Sequence, residues 1–163
     1  MATRSKLDLD GDRVIIDAGA ATKLTASIFR SLGCTPAVAE TVAAHLADAS
    51  LCGVESHGLM RTLQYAEQFE SGVLDAAAEP VFHRSDTAAH LVDGRNGIGI
   101  PAMRLAFDNA RDLASEAGIA ALAIRHAGHT GRHGAYAEAA AEAGFLTILL
   151  GGGNRHNWRQ VAP

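Results

Sequence analysis

The feature that most constrains this 163-residue chain is an alternation in its last third. An apolar run at 119–124 is followed by an alanine-rich helical pattern at 131–143 and a second apolar run at 145–150. Two strands separated by a helix cannot close as a hairpin, so they form a βαβ crossover with parallel strands, which are commonly buried on both faces. Such a sheet needs more strands than these two. With the last residue at Pro163, it is expected to keep an uncovered edge. The expected chain is truncated or partial, or completes its sheet with a partner.

The N-terminal part carries helix punctuation instead. Asp17 is placed to cap a helix over 18–32 stopped by Gly33, and Thr35-Pro36 starts a second one over 36–51 stopped by Gly53. Ser56 is a candidate cap for a third, carrying Leu59, Leu63, Ala66 and Phe69 and ending at Gly72. Residues 14–16 form a short strand or extended lead-in. Short extended runs at 81–83 and 88–92, split by Arg84-Ser85-Asp86, predict a hairpin. A glycine-rich turn from Asp93 to Gly99 then leads into a helix from Pro101 closed by Gly118. The expected fold class is α/β: a helical section over 1–80, then a partial mixed or parallel sheet with a βαβ unit over 81–163.

Composition removes several functions. A net charge of −4 with no run of Lys or Arg offers no electrostatic footprint for nucleic acid or an anionic membrane. Cys34 and Cys52 lack metal or redox spacing and read as small buried hydrophobes of a reducing compartment. The polar first residues resemble no secretion signal and no run is long enough to span a bilayer, so a cytoplasmic location is expected.

Two constellations carry chemistry. In the first, Ser56, His57, Arg61 and Tyr65 gather at a helix start, with the last three spaced by four and so expected on one face. Two cationic groups near the positive end of a helix are unfavourable unless an anion joins them. A carboxylate gripped bidentately by Arg61 is the economical occupant, although the spacing also suits a capped, solvated helix start. Ser56 lacks the elbow of a hydrolase nucleophile.

The second constellation runs from His126 to Tyr136, between the C-terminal end of a predicted parallel strand and the next helix, where open α/β sheets bind ligands. His129 is the candidate general acid/base there. His126 and His133 are expected to be polar loop residues with backbone partners. A metal-dependent hydrolase using His126, His129 and His133 is an alternative, although the spacing is irregular and no acidic residue joins them, so no metal is expected. A non-catalytic assembly module, pairing through the open sheet edge and apolar helices, is a further alternative. Gly131, Gly134, Gly152 and Asn154 lie where a cofactor could approach the backbone.

In order, Gly53-Val54-Glu55-Ser56-His57-Gly58 with Arg61 and Tyr65, Asp93-Gly94 with Gly97 and Gly99, His129 with Gly131, Gly134 and Tyr136, and Val161-Ala162-Pro163 resemble the N-terminal half of the malate/L-lactate dehydrogenase family, which includes ureidoglycolate dehydrogenase-like members. That resemblance implies a non-Rossmann oxidoreductase using NAD or NADP on a small 2-hydroxy or 2-keto acid, usually as a homodimer. It implies His129 as the catalytic acid/base and Ser56, His57, Arg61 and Tyr65 as substrate-binding residues. Gly131, Gly134, Gly152 and Asn154 would be the cofactor-binding residues.

Overall fold

Each of the first two helices begins where a side chain satisfies its free N–H groups. The Asp17 carboxylate accepts from the Ala20 amide at 2.8 Å, and Thr35 caps the second helix with Pro36 in its first turn. In the computed structural model, which describes residues 14–86 and 89–151, these are α1 (Ala18–Ser31) and α2 (Pro36–Leu51). A 3₁₀ turn, Glu55–His57, follows, then α3 (Arg61–Glu70), β1 (Val81–His83), β2 (Ala89–Gly97), α4 (Gly99–Ala117), β3 (Ala121–Ala127) and α5 (His133–Glu142). The fold is mixed α/β.

α2 is apolar on most of its surface and forms the centre of the helical layer. Val42, Ala39 and Leu46 are fully buried with Phe29 of α1 and Tyr65 of α3. Phe29 meets the Tyr65 ring at 6.2 Å and the Phe69 ring edge-on at 6.4 Å. Ile98 and Ile100, at the start of α4, enter the same cluster. Further along, Ala102 and Ala106 of α4 pack with Val92 of β2, flanked by Phe82, Leu122 and Ile124. One helix thus joins the helical layer to the sheet.

The sheet order is β1-β2-β3, with β1 antiparallel to β2 and β2 parallel to β3. The expected hairpin forms, with Val81 opposite Asp93 and His83 opposite Leu91. The crossover lies one step earlier than the sequence pattern indicates: the βαβ unit is β2-α4-β3. Residues 145–150 form no strand. Leu146, Ile148 and Leu150 are 94%, 78% and 92% exposed, because no strand among the described residues pairs with this segment. β3 alternates between exposed and half-buried residues instead of being covered on both faces, since α4 packs on the sheet and the opposite face is bare.

Other expectations also change. Residues 14–16 form no strand and are exposed. The glycine-rich segment is the irregular end of β2, not a free turn: Asp93 pairs with Arg125 and the next pair is Gly97 with Ala127. Three residues of β2 therefore face one of β3, a bulge that bends the strand. β3 starts and ends later than its apolar run, so His126 lies within it. Cys34 is buried in the turn before α2, but Cys52, at the end of α2, is exposed. No helix among the described residues is long and apolar enough to cross a membrane.

Candidate active site

The Ser56 region does not start a helix. Val54 lacks a capping side chain and the 3₁₀ turn Glu55–His57 ends at Gly58, so α3 begins at Arg61. The cause is packing on α2: the Leu59 amide donates to Ser50 Oγ at 2.9 Å, and a Cβ on Gly58 would overlap that same hydroxyl. Ser56 consequently turns its hydroxyl to His57 Nδ1, at 2.9 Å, instead of capping. Arg61 Nε donates to the Ser56 carbonyl at 2.6 Å and Nη1 to Gln64 Oε1. Arg61 and Tyr65 share a helical face, but His57 reaches the same place from the 3₁₀ turn.

His129 arrives from the opposite side, just beyond β3. Its backbone is held by a short ladder in which Gly128 N donates to the Gly97 carbonyl at 2.8 Å and Gly99 N to the His129 carbonyl at 3.1 Å. Its ring lies 5.0 Å from the His57 ring. Its Nδ1 shares a 2.7 Å hydrogen bond with the Tyr65 hydroxyl, and the Gly131 amide donates to the same nitrogen at 3.3 Å. Tyr65 is fully buried, so its hydroxyl serves His129. Ser56, His57, Arg61, Tyr65 and His129 are therefore brought together.

The electrostatics of the group are one-sided. Burial first, then the Arg61 guanidinium and the His57 ring, depress the His129 pKa to about 3. Burial and then Arg61 lower that of His57, while burial raises that of Tyr65. Both imidazoles are neutral at pH 7, beside a guanidinium. An arriving anion would lift both pKa values by supplying the missing counter-charge.

A stability prediction follows from these depressed values. The unfolded chain, with imidazoles near ~6.5, binds more protons below that pH than the folded one, so stability falls with pH. The urea midpoint is expected to decline between pH 7 and pH 5, above most carboxylate titration. A flat midpoint over that range would mean that these rings are not shielded.

Behind His129 lies a second polar group that the sequence reading missed. His45 Nε2, on α2, accepts the Arg132 amide at 2.8 Å, and its ring stacks on Tyr136 at 5.1 Å. Burial pushes its pKa down to about 4. The Arg132 guanidinium pairs with Asp48 at 2.8 Å and Glu138 at 2.9 Å. The available signal was His45 and Asp48 one turn apart on a largely apolar helix, since buried polar groups need partners.

The histidines of the second constellation diverge. His126 projects from β3 with Nδ1 3.1 Å from the Asp93 carboxylate, and His133 Nε2 meets Thr130 Oγ1 at 2.7 Å. Their partners are side chains, not the expected backbone groups. Among the described residues no group of three or more His, Cys, Asp or Glu could hold a metal ion, and the hydrolase alternative is not favoured. A Cβ on Gly131 would overlap His45, and one on Gly134 would lie 2.8 Å from Arg132 Nη1. Gly152 and Asn154 lie outside the described residues.

A helical layer joined by one helix to a mixed sheet, with imidazoles and a guanidinium at the junction, defines a class that the comparisons make specific. Residues 16–156 match the family profile described as malate/L-lactate dehydrogenase, and the chain belongs to that family. It is 34% identical over 122 residues to hydroxycarboxylate dehydrogenase B of Escherichia coli O157:H7, covering 75% of this chain and 34% of the relative. With the Δ1-pyrroline-2-carboxylate/Δ1-piperideine-2-carboxylate reductase of Pseudomonas syringae pv. tomato it shares 35% identity over 123 residues, 76% of this chain and 36% of that protein. A crystal structure of Δ1-piperideine-2-carboxylate reductase from P. syringae pv. tomato superposes with a TM-score of 0.74 at 33% identity, over 81% of this chain and 40% of that one. The matched part of this chain thus spans about a third of the curated relatives' length.

Proposed function

We propose that this chain carries the substrate-activating half of an oxidoreductase that interconverts a small 2-hydroxy acid and its 2-keto acid, with hydride exchanged between C2 and NAD or NADP. The observation that carries this reading is the His129 ring, hydrogen-bonded to buried Tyr65 and facing His57 and Arg61. Relatives whose names specify hydroxycarboxylate, diketogulonate and cyclic imino-acid substrates support the same chemistry.

Arg61 is the carboxylate anchor. Nε and one Nη1 hydrogen are used internally by Ser56 and Gln64, which fixes the guanidinium plane and leaves the Nη1–Nη2 edge for two parallel hydrogen bonds. His57, oriented by Ser56, adds a donor or acceptor beside it. His129 exchanges the proton of the C2 oxygen through Nε2. Its Nδ1 partner is a hydroxyl: once Nδ1 is protonated, Tyr65 accepts from it in place of the 3.3 Å Gly131 contact, which leaves Nε2 bare as the base and, when protonated in turn, makes the imidazolium the acid.

The described residues offer an anchor for the acid, but no room for the dinucleotide beside Gly131 and Gly134. The space beside Gly131 and Gly134 is filled by His45 and Arg132 of this chain, leaving no cradle for a pyrophosphate. Gly131 and Gly134 are therefore better explained by internal packing than by contact with the dinucleotide. A homodimer, a cytoplasmic location and the division at residue 80 remain part of the proposal.

The test is steady-state reduction of a panel of 2-keto acids and cyclic imino acids with NADH and NADPH, in this chain and in one extended to the relatives' length. Turnover in the extended chain is expected, and none with either nucleotide would overturn the reading. Arg61→Lys is expected to raise KM at least tenfold with a smaller effect on kcat, because an ammonium cannot make the planar two-point contact. An unchanged KM would remove Arg61 as the anchor.

A further inference from the structure

Among the described residues, three other than glycine have positive φ, and they gather at one place: Arg95 at 50°, Asn96 at 61° and His126 at 49°. Arg95 and Asn96 are in the bulge of β2, and His126 is the single β3 residue opposite it. Side chains with a Cβ resist this left-handed conformation, so it persists where surrounding contacts over-determine it. One carboxylate supplies most of those contacts.

Asp93, the last regularly paired residue before the bulge, accepts from the Arg95 amide at 3.0 Å, from Arg125 Nε at 3.1 Å and from His126 Nδ1 at 3.1 Å. The Arg95 amide first, then His126 and Arg125, hold its carboxyl ionised down to about pH 2. An ionised carboxylate only accepts, so His126 carries its proton on Nδ1. On the far side of the bulge, Asn96 Nδ2 donates to the Val73 carbonyl and the Asp75 amide donates to the Asn96 carbonyl, both at 2.9 Å. The bulge is thereby fastened to the segment that follows α3, the helix that carries Tyr65.

Immediately beyond it come the Gly97–Gly128 and Gly99–His129 backbone bonds. A regular β3 would continue with its side chains alternating across the sheet. The His126 conformation interrupts that alternation three residues before His129.

We infer that Asp93 is a positioning residue for His129: by clamping His126 and Arg95 in left-handed conformations, it turns the chain leaving β3 so that the His129 ring meets the Tyr65 hydroxyl. The inference rests on the proposed role of His129 for its functional meaning, but the placement itself can be read without turnover.

Asp93→Ala removes the acceptor of all three donors at once, since Oδ1 takes both the Arg95 amide and His126 Nδ1 while Oδ2 takes Arg125 Nε. The experiment follows the imidazole nitrogen resonances of His129 in the 163-residue chain by NMR, with the thermal midpoint measured in parallel. Loss of the Nδ1 hydrogen-bond signature in folded Asp93→Ala is expected. A role confined to stapling the sheet would lower the midpoint and leave that signature intact, which would overturn the inference. Should Asp93→Ala not fold, His126→Ala removes one arm of the clamp and is read by the same criterion.

In the extended chain, Asp93→Ala is expected to lose about 100-fold in kcat with KM nearly unchanged, the scale of a ~1 Å misplacement. A moved His129 signal with undiminished kcat would confirm the positioning and instead refute the acid/base role of His129.

Discussion

Replacing His129 with glutamine is expected to lower turnover about 10²–10⁴-fold, the usual contribution of a positioned acid/base group, with KM for the 2-keto acid and affinity for the nucleotide largely retained. That loss corresponds to about 3–5 kcal/mol of transition-state stabilisation. Glutamine is close to histidine in size and can still accept from the Tyr65 hydroxyl, so the 2.7 Å contact has a replacement. What it cannot do is take up or release a proton at pH 7. The split between kcat and KM is diagnostic, because Arg61 and His57, which would hold the acid, stay in place. Steady-state kinetics on the extended chain provide the measurement, and wild-type turnover in the variant would eliminate the proposed mechanism.

The second large effect concerns stability and needs no activity. Gly131→Ala is expected to destabilise the chain by about 2–4 kcal/mol, combining the cost of a left-handed backbone with that of overpacking. Gly131 has φ +77°, and its added Cβ would overlap His45 Nε2 and lie 2.7 Å from His45 Cδ2 and 3.0 Å from Ile100 Cγ1. His45 cannot swing aside without losing the Arg132 amide and its stack on Tyr136. The thermal midpoint should fall on the order of 10 °C. Were Gly131 instead a cofactor contact, as its position in the sequence suggests, alanine would leave the midpoint nearly unchanged and weaken nucleotide binding. The two explanations are therefore separable on one variant.

Local signals were most reliable where one residue decides the outcome by itself. Pro36 opens α2 and Leu51 is its last residue, and Gly118 closes α4 in the left-handed conformation, as the punctuation of the sequence indicates. The Ser56 cap failed because its competitor is not local. Ser50, on another helix, supplies the hydroxyl that the Leu59 amide binds, and the chain tightens into a 3₁₀ turn to reach it. The run at 145–150 has the composition of a buried strand but lacks a partner among the described residues, and strand formation depends on that partner.

The site divides in the same way. His57, Arg61, Tyr65 and His129 were legible as chemistry, since a guanidinium and imidazoles near glycine-rich turns are costly without an anion. Tyr65 binds His129 from a fully buried position. The roles of His45, Asp48 and Asp93 lie in contacts with residues more than thirty positions away, which local spacing does not carry.

The order of residues alone determined where α1 and α2 start and stop, which segments pair as a hairpin, and which side chains are able to exchange protons or hold a carboxylate, because these depend on backbone sterics, hydrogen-bond inventory and intrinsic acidity within a few positions. Only the tertiary structure decided that β2 and β3 are the parallel pair and that a bulge turns His129 toward Tyr65. It also decided that the glycines near His129 accommodate the protein's own side chains, since close packing and the pKa of a buried ring are set by atoms that meet only after folding.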